Sequence, residues 1–471
     1  MRILFVASEA FPLAKVGGLA DVTSSLAIAL QDSGHEPCLI LPRYRSIRIP
    51  IQGIQRKNVV VPFMGHSEQV ALKMTRLKKR IPVHLVENDH YFGTDEIYTQ
   101  DELKRFLFFS LTIPAIISQL DLHPDIIHCH DWHTALVPLW LKKAKMKLPC
   151  IFTIHNLAYQ GSFDQQFFLD SGLSSVWQEY GPVSAPRPSL NFMSQGILLA
   201  DIVTTVSPTY ASEILTPQYG CGLDQLLNYR RNELYGIVNG IDYDEYNPAT
   251  DPYLERNYDS ATAERRTDNK LALQKKGNLP QNLDVPLLGM VSRLEEQKGI
   301  DLPLEAAEQL IAETKAQLLI LGQGRERYHE LLTRLALRYP GRVSVTIAND
   351  EKLAHLIYGG CDMFLMPSRF EPCGLGQMIA MRYGAVPVVR HTGGLADTVK
   401  DVIEETGNGF VFQDYTVSDM LGAIKRAGER FRRREEWNNL MKQNMNLDFS
   451  WKTSAKKYEE VYLRAREMAR I

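Results

Sequence analysis

Residues 385–399 read AVPVVRHTGGLADTV, an apolar strand that runs directly into a glycine pair and the start of a helix. The same letters, GGLAD, recur in KVGGLADV at 15–22, after a loop that follows the strand RILFVA at 2–7. A strand, a glycine turn and a helix form the repeating unit of parallel α/β proteins. The sequence therefore indicates an α/β fold with one copy of this unit near each end.

Short apolar runs alternate with helical stretches on both sides of a polar segment at 244–284. Most are apolar throughout, which is typical of parallel strands covered on both faces. The runs are RILFVA (2–7), EPCLIL (36–41), PVHLVE (82–87), DIIHCH (125–130), PCIFTIH (149–155), DIVTTVS (201–207), VPLLGMVS (285–292), AQLLILG (316–322), RVSVTI (342–347), MFLMPS (363–368), AVPVVR (385–390) and GFVF (409–412). We predict two doubly wound, Rossmann-like domains, 1–243 and 244–450, facing each other across a cleft, and a C-terminal helix at 451–471.

Composition limits the classes of function. The chain has 471 residues, 45% of them apolar, and a formal net charge of −2, which lacks the basic excess of nucleic-acid-binding proteins. No apolar run is long enough to cross a membrane. The chain starts at once with a strand, and its six cysteines include no CxxC pair, so we expect a reducing cytoplasm. The oligomeric state stays open.

The two GGLAD stretches have two interpretations. Gly17 and Gly18, like Gly393 and Gly394, could let backbone N–H groups approach an anion at a helix N-terminus. One such site per domain would suit a ligand with a diphosphate. The alternative is a pair of helix caps with glycine turns, and the pattern alone does not decide between them.

The stretch IIHCHDWH at 126–133 could hold a metal ion, because His128 and His130 share one face of a strand and His133 follows. We prefer binding of sugar hydroxyls, since Asp131 stands at the strand end. Similarly, IDYDEY at 241–246 has the DxD spacing of metal-dependent enzymes, but a solvated loop is the better interpretation.

Two stretches beyond strand ends in the second half carry candidate groups. Arg293 and Lys298 could clamp two phosphates, the alternative being an exposed charged loop. Glu371 stands beside the backbone N–H groups of Cys373, Gly374 and Leu375, an arrangement suited to a sugar or to a developing positive charge. We rank a nucleophilic role for Cys373 below packing or hydrogen bonding, because no histidine is adjacent.

Ordered motifs span nearly the whole chain and resemble those of the bacterial glycogen synthase and starch synthase family. These enzymes are retaining nucleotide-sugar glycosyltransferases of GT-B architecture. The motifs are KVGGLADV (15–22), HDWHTAL (130–136), FTIHNLAYQG (152–161), VTTVSPTYASEI (203–214), TPQYGCGLDQLL (216–227), NGID (239–242), VSRLEEQKG (291–299), SRFEPCGL (368–375), HTGGLADTV (391–399) and FSW (449–451).

The resemblance implies transfer of glucose from ADP-glucose, or less often UDP-glucose, to the nonreducing end of an α-1,4-glucan, with no metal or other cofactor. The residues implied to hold the diphosphate are Lys15, Gly18, Arg293 and Lys298, and Thr392, Gly393 and Gly394 are implied to lie near the phosphates. Those implied to surround the transferred glucose are Asp131, His155, Asn239, Glu371, Cys373, Gly374 and Leu375. Tyr98 matches a tyrosine of the family's donor site, Asp21 belongs to the first motif, and the C-terminal helix is implied to cross back to the first domain.

One departure concerns the nucleotide. Where the family often has a tyrosine that stacks on adenine, this chain has Asn349, and a lost stack costs about 1–3 kcal/mol by analogy with base–aromatic stacking. A synthase that prefers UDP-glucose therefore stays an alternative. A glucan-binding or nucleotide-binding regulatory paralogue and a sucrose or trehalose type of transferase are two further alternatives.

Overall fold

The computed structural model describes residues 1–48, 57–180 and 189–469. Its residues form two units, Met1–Gly240 together with the segment from Trp451, and Ile241–Ser450. Residues 470 and 471 of the predicted C-terminal helix lie outside the described residues. Within the described ranges, no helix has both the length and the apolar character needed to span a membrane.

The N-terminal unit is built on a mixed sheet, which has nine strands in the described residues. These are β1 Arg2–Val6, β2 Glu36–Pro42, β3 Lys57–Phe63, β4 His66–Leu77, β5 Ile81–Glu87, β6 Ile126–His130, β7 Cys150–Ile154, β8 Ile202–Thr205 and β9 Leu234–Gly236. Their order is β3-β4-β5-β2-β1-β6-β7-β8-β9, and every pair is parallel except the two that β4 makes. The six runs predicted as strands in this half are confirmed.

The sequence analysis missed the β3–β4 hairpin and the short strand β9 of this sheet. The buried side chains of β4 are Val70 and Leu72 on one face and Thr75 and Leu77 on the other, and partly or fully exposed residues separate them. Continuous apolar runs do not reveal such a strand. The hairpin turn between Leu77 and Ile81 is formed by basic residues.

The helices of this unit up to residue 229 pack around the sheet. They are α1 Gly18–Asp32, α2 Asp89–Phe92, α3 Glu102–Gln119, α4 Val137–Lys143, α5 Gln165–Asp170, α6 Leu173–Tyr180, α7 Phe192–Leu199, α8 Pro208–Glu213 and α9 Asp224–Tyr229. Phe5 and Leu39 of adjacent strands and Leu26 of α1 are fully buried in a shared core. The α1 helix therefore begins at the first glycine pair and is held on the sheet by its apolar face.

The C-terminal unit has a parallel sheet of six strands in the order β12-β11-β10-β13-β14-β15 within the described residues. The strands are β10 Leu287–Val291, β11 Gln317–Gly322, β12 Val343–Ile347, β13 Met363–Met366, β14 Val386–Arg390 and β15 Phe410–Phe412. The helices are α10 Arg266–Lys276, α11 Asp301–Glu313, α12 Glu326–Arg338, α13 Glu351–Gly360, α14 Gly376–Arg382, α15 Gly393–Thr398, α16 Val417–Arg432 and α17 Arg434–Met445. All six strands predicted in this half are confirmed.

The last helix, α18 Trp451–Met468, belongs to the core of the N-terminal unit. The Ser454 hydroxyl donates a hydrogen bond to the Val238 carbonyl at 2.6 Å. The buried Tyr462 hydroxyl lies 2.9 Å from Nδ1 of His128 in the central strand β6. The chain therefore leaves this unit after Gly240 and returns to it at Trp451.

Candidate active site

The candidate residues of each unit follow the carboxyl ends of its parallel strands. In the N-terminal unit, Asp131 follows β6 and His155 follows β7. In the C-terminal unit, Arg293 follows β10, Glu371 follows β13 and Thr392 follows β14. Because the carboxyl ends of parallel strands meet at one edge of a sheet, the fold gathers each set at the edge where open α/β sheets bind ligands.

The first glycine loop is held by a carboxylate of the chain itself. Oε2 of Glu9 accepts hydrogen bonds from the N–H groups of Val16 at 2.6 Å and Gly17 at 2.9 Å. Glu9 is only 3% exposed, and burial raises its pKa above the ordinary value, with a further contribution from Asp21. These two N–H donors are thus engaged, and Gly18 begins the helix immediately after them.

Lys15 projects from this loop toward the first turn of α1. Its Nζ donates a hydrogen bond to Oδ1 of Asp21 at 2.7 Å and lies 4.8 Å from the centre of the Phe11 ring. The Lys15 side chain is 37% exposed, so the ammonium is accessible to an anionic ligand. The structure therefore brings Lys15, Gly17, Gly18 and Asp21 together.

Tyr98 extends this cluster toward the histidines. Its hydroxyl donates a hydrogen bond to Glu9 and lies 3.2 Å from the Ser8 hydroxyl. Its ring stacks on His133 with centroids 4.9 Å apart. Burial, the neighbouring Glu9 carboxylate and its hydrogen bond raise the pKa of Tyr98, so this residue is a neutral donor. Tyr98 thus joins the glycine loop to the HDWH stretch.

Asp131 and His155 meet at the ends of two adjacent strands. Oδ1 of Asp131 accepts a hydrogen bond from the His155 N–H at 2.8 Å. Burial raises the pKa of Asp131 to about 7 and lowers the pKa of His155 to about 3. Asp131 also has a φ of 56° and a ψ of 177°, a strained combination for a residue with a side chain. Strain of this kind is common at functional sites.

The other histidines have structural neighbours. Both ring nitrogens of the fully buried His128 are engaged, Nδ1 with Tyr462 at 2.9 Å and Nε2 with Thr153 at 2.6 Å. Nδ1 of His130 lies 3.0 Å from Nε2 of His155.

Asn239 is 6% exposed, and its Oδ1 atom has no hydrogen-bond partner in the described structure. A buried oxygen of this kind suits a ligand hydroxyl.

In the C-terminal unit the central feature is an ion pair. Nζ of Lys298 donates to Oε2 of Glu371 at 2.6 Å, and the Ser368 hydroxyl donates to the same oxygen at 3.0 Å. Glu371 is 4% exposed, whereas Arg293 is exposed. Lys298 was predicted as a phosphate clamp, and in the described structure it is bound to the carboxylate predicted to hold the sugar.

The second GGLAD stretch packs directly on the loop that carries Glu371. A Cβ on Gly393, whose φ is +45°, would lie 2.0 Å from the Glu371 carbonyl oxygen, and one on Gly394 would lie 2.1 Å from that of Cys373. The Gly394 N–H donates to the Glu371 carbonyl at 3.0 Å. These glycines therefore permit close packing of two backbone segments, and Thr392 is the N-cap residue of α15.

The sequence analysis missed two residues that hold the backbone of candidate-site loops, Glu9 and Gln377. Nε2 of Gln377 donates to the carbonyls of Cys373 at 3.2 Å and Gly374 at 2.9 Å, which fixes the loop before Leu375. Gly374 has a φ of +72°, so a side chain there would be strained. A glutamate right after the first strand was the available signal for Glu9, since buried carboxylates are rare without partners.

Comparisons with known proteins identify the class of protein to which the chain belongs. Residues 2–229 match the family model described as starch synthase catalytic domain, and residues 273–443 match glycosyl transferases group 1. The chain also resembles a sucrose-phosphate synthase from Thermosynechococcus elongatus at 18% identity, with a TM-score of 0.61 and 98% of each chain covered. That likeness concerns the fold alone. The fold and these matches define the class, a glycosyltransferase with two α/β units.

More similar relatives narrow the class to one family. A glycogen synthase of Geotalea daltonii is 47% identical, with 98% of each chain covered, and one of Moorella thermoacetica is 44% identical over all of this chain and 98% of its own. The catalytic domain of starch synthase IV from Arabidopsis thaliana, bound to ADP and acarbose, is 35% identical, with a TM-score of 0.91 and 99% of each chain covered. The chain belongs to the bacterial glycogen synthase family.

Proposed function

We propose that this chain transfers glucose from ADP-glucose to the nonreducing end of an α-1,4-glucan with retention of configuration. Support comes from full-length identity of 47% to a glycogen synthase and from the likeness to a starch synthase structure bound to ADP and acarbose. The observation that carries the proposal is the ion pair of buried Glu371 with half-buried Lys298, beside the glycine loop that Gln377 holds. It places a carboxylate for a sugar next to a cation for a phosphate.

In this proposal the bond from the anomeric carbon to the diphosphate breaks as the acceptor hydroxyl attacks from the same face. The acceptor's proton passes to the departing phosphate oxygen, so no protein nucleophile is needed. Charge that develops on the diphosphate is neutralised by Lys15, Arg293 and Lys298, which take the role that a metal ion has in other transferases. Thr392 and the start of α15 lie near the phosphates.

In this proposal, hydrogen-bonding groups of the chain bind the hydroxyls of the transferred glucose. Asp131, with its pKa near 7, and His155, which is neutral at that pH, offer hydrogen bonds without a full buried charge. Asn239 contributes its buried Oδ1 oxygen. The proposal assigns Glu371 and the backbone of Cys373–Leu375 to sugar binding and to stabilisation of positive charge at the anomeric carbon.

Glucose transfer into glycogen from labelled ADP-glucose tests the reaction and these roles. Lys15→Ala and Glu371→Ala are expected to lower kcat by about 100-fold or more while the variants stay folded, because each removes a charge that stabilises the transition state. Lys147→Ala, at an exposed lysine outside the site, is the control and should match the parent chain. Near-normal turnover of both site variants would overturn the assigned roles.

The nucleotide is tested by comparing the two donors. Asn349 is exposed between β12 and α13, where the family's stacking tyrosine would stand. We expect the ratio of the rate with ADP-glucose to the rate with UDP-glucose to exceed one but to be smaller than in a chain with that ring. Asn349→Tyr should raise this ratio about 5–100-fold. A strong preference for ADP-glucose that Asn349→Tyr leaves unchanged would mean that other contacts read the base.

The free cysteines indicate the kind of cellular compartment in which the protein works. All six cysteines are free, including Cys129 and Cys150, whose sulfur atoms lie 3.8 Å apart. We infer a reducing compartment, the cytoplasm, because two close thiols stay reduced there. A full titre of six thiols in freshly isolated protein is the expected result, and fewer would contradict it.

A further inference from the structure

A second cluster of ionisable side chains lies in the C-terminal unit, among residues that the reaction does not use. One carboxylate oxygen each from Glu245 and Glu351 and one ring nitrogen of His355 all lie within 4.8 Å of one another. Glu245 comes from the IDYDEY stretch, whose spacing had suggested a metal. Glu351 and His355 are four residues apart on α13 and therefore share one face of the helix.

His355 is oriented as a metal-ligating histidine would be. Nδ1 of His355 lies 2.7 Å from Oδ2 of Asp251, which also accepts a hydrogen bond from the Tyr383 hydroxyl at 2.5 Å. A carboxylate at Nδ1 fixes the proton there and leaves a lone pair on Nε2. The ring is further fixed by Tyr246, which stacks on it at 5.2 Å.

Nε2 is the unusual atom of this cluster. His355 is 2% exposed, and its Nε2 atom has no hydrogen-bond partner in the described structure. A buried polar atom without a partner has lost its hydrogen bonds to water without replacement, so such an atom in a native protein calls for a ligand. Two carboxylate oxygens within 4.8 Å of a ring nitrogen of His355 select a cation as that ligand.

We propose that Glu245, Glu351 and His355 bind one divalent transition-metal ion of the zinc type, with Asp251 as the residue that orients the histidine. An imidazole nitrogen with two carboxylates suits zinc, whereas magnesium and calcium prefer oxygen ligands alone. Because Glu351 is exposed, water completes the coordination and the ion exchanges with solvent. The ion links the segment that opens this unit to α13, so its effect is on stability, and the site does not depend on the proposed reaction.

Thermal unfolding of the full chain, stripped of metal and then given Zn²⁺ or Mg²⁺, tests the site. Zn²⁺ at about one hundred times its Kd is expected to raise Tm by about 5–10 °C, and Mg²⁺ to have little effect. Glu351→Gln should abolish the Zn²⁺ shift with little change in the Tm of the metal-free protein, because this side chain is exposed.

Glu326→Gln is the matched control, since Glu326 is also an exposed glutamate at the first position of a helix, α12. It should keep the full Zn²⁺ response. Equilibrium dialysis provides a second readout, with one Zn²⁺ per parent chain expected to be lost in Glu351→Gln alone. The proposal is overturned if the parent chain shows neither a shift nor binding, or if the two glutamate variants respond alike.

Discussion

The carboxylate of Glu9 fixes the backbone of the loop that carries Lys15. Two N–H groups of that loop and the Tyr98 hydroxyl converge on it, and Asp21 and Asp131 lie near enough for their carboxyl groups to influence, or be influenced by, its charge. Glu9 itself has two oxygens and three donors around them. It is therefore a positioning residue, whose effect on the reaction passes through Lys15.

Glu9→Ala is expected to lower kcat/KM by about 10–100-fold, since charge-assisted hydrogen bonds are worth about 1.5–3 kcal/mol. Glu9→Gln should restore much of the loss, because an amide oxygen can still accept from the Val16 and Gly17 N–H groups. Steady-state kinetics of both variants provide the check. Two variants indistinguishable from the parent chain would show that the loop holds its shape without this carboxylate.

Asp131 combines a strained backbone with a carboxyl group whose pKa is raised to about 7. A folded-state pKa above the unfolded one means that the folded protein binds the proton more tightly, so stability falls as pH rises from about 4 to 7. Asp131→Asn removes this dependence. We expect the variant to be more stable than the parent by about 1–2 kcal/mol at pH 8, with no such gain near pH 4, and to lose activity.

Chemical denaturation of Asp131→Asn and the parent chain across pH 4–8 measures this difference. Parallel curves over the whole range would contradict a raised pKa for Asp131. An active variant would instead contradict its place in the sugar site. The two results therefore test two separate claims about Asp131, its raised pKa and its place in the sugar site.

Candidate site residues could be named from sequence where a polar group follows a strand end, as for Asp131 and Glu371, whereas Lys15 was named only through the resemblance of its motif. The hydrogen-bond partners of the site residues could not be predicted from the sequence. The bond between Lys298 and Glu371 joins residues 73 positions apart. The contact of Glu9 with Val16 depends on how a loop turns back, and no periodicity encodes that turn. Pairing across such separations is set by tertiary packing.

At the scale of elements, the two GGLAD stretches have the same letters and different environments. The first glycine of one, Gly17, is the N-cap residue of α1, and a Cβ there would meet nothing within 4 Å. The first glycine of the other, Gly393, already lies inside α15 and contacts the Glu371 backbone. Both stretches begin a helix, as predicted, but the glycines of the second stretch allow its backbone to pack closely on the loop that carries Glu371.

Alanine at these two positions separates the two environments. Gly393→Ala is expected to destabilise the protein by about 2–4 kcal/mol, because the new Cβ would overlap a carbonyl oxygen and the φ is positive. Gly17→Ala should cost well under 1 kcal/mol, since its φ is −139° and space is open. Thermal unfolding compares the two, and equal losses of stability would contradict the structural difference.

The parallel strands were predictable because burial on both faces leaves a continuous apolar run, as in β1, β11 and β14. The β3–β4 hairpin was not found, because partly or fully exposed residues separate the buried residues of β4 and leave no continuous apolar run. The short β9 strand, with three half-buried residues, is too brief to give any pattern. Strand detection therefore depended on burial rather than on strand propensity.

At the scale of the whole molecule, the chain closes its first unit with its last helix. The side chains that α18 adds to the N-terminal core are Trp451, Ala455, Tyr458, Val461, Tyr462 and Ala465. Burial of a large apolar side chain is worth about 1.5–3 kcal/mol, and a typical protein is stable by only about 5–15 kcal/mol. The N-terminal unit is therefore not expected to fold without this helix.

A chain that ends at Ser450 should lose the cooperative unfolding of the N-terminal unit, while the C-terminal unit, which has its own core, stays protected. Hydrogen exchange resolves the two units separately. A chain that ends at Arg466 keeps every core residue of α18 and should behave as the full chain does. Normal protection of both units in the 1–450 chain would contradict the role of α18.

The most direct test of the account is release of nucleoside diphosphate from ADP-glucose and UDP-glucose at equal concentration, with and without glycogen. We predict release that requires glycogen, is faster with ADP-glucose, and falls by about 100-fold or more in Glu371→Ala. Absence of release with either donor, in protein that still binds glycogen, would contradict the account and favour a binding protein without transferase activity.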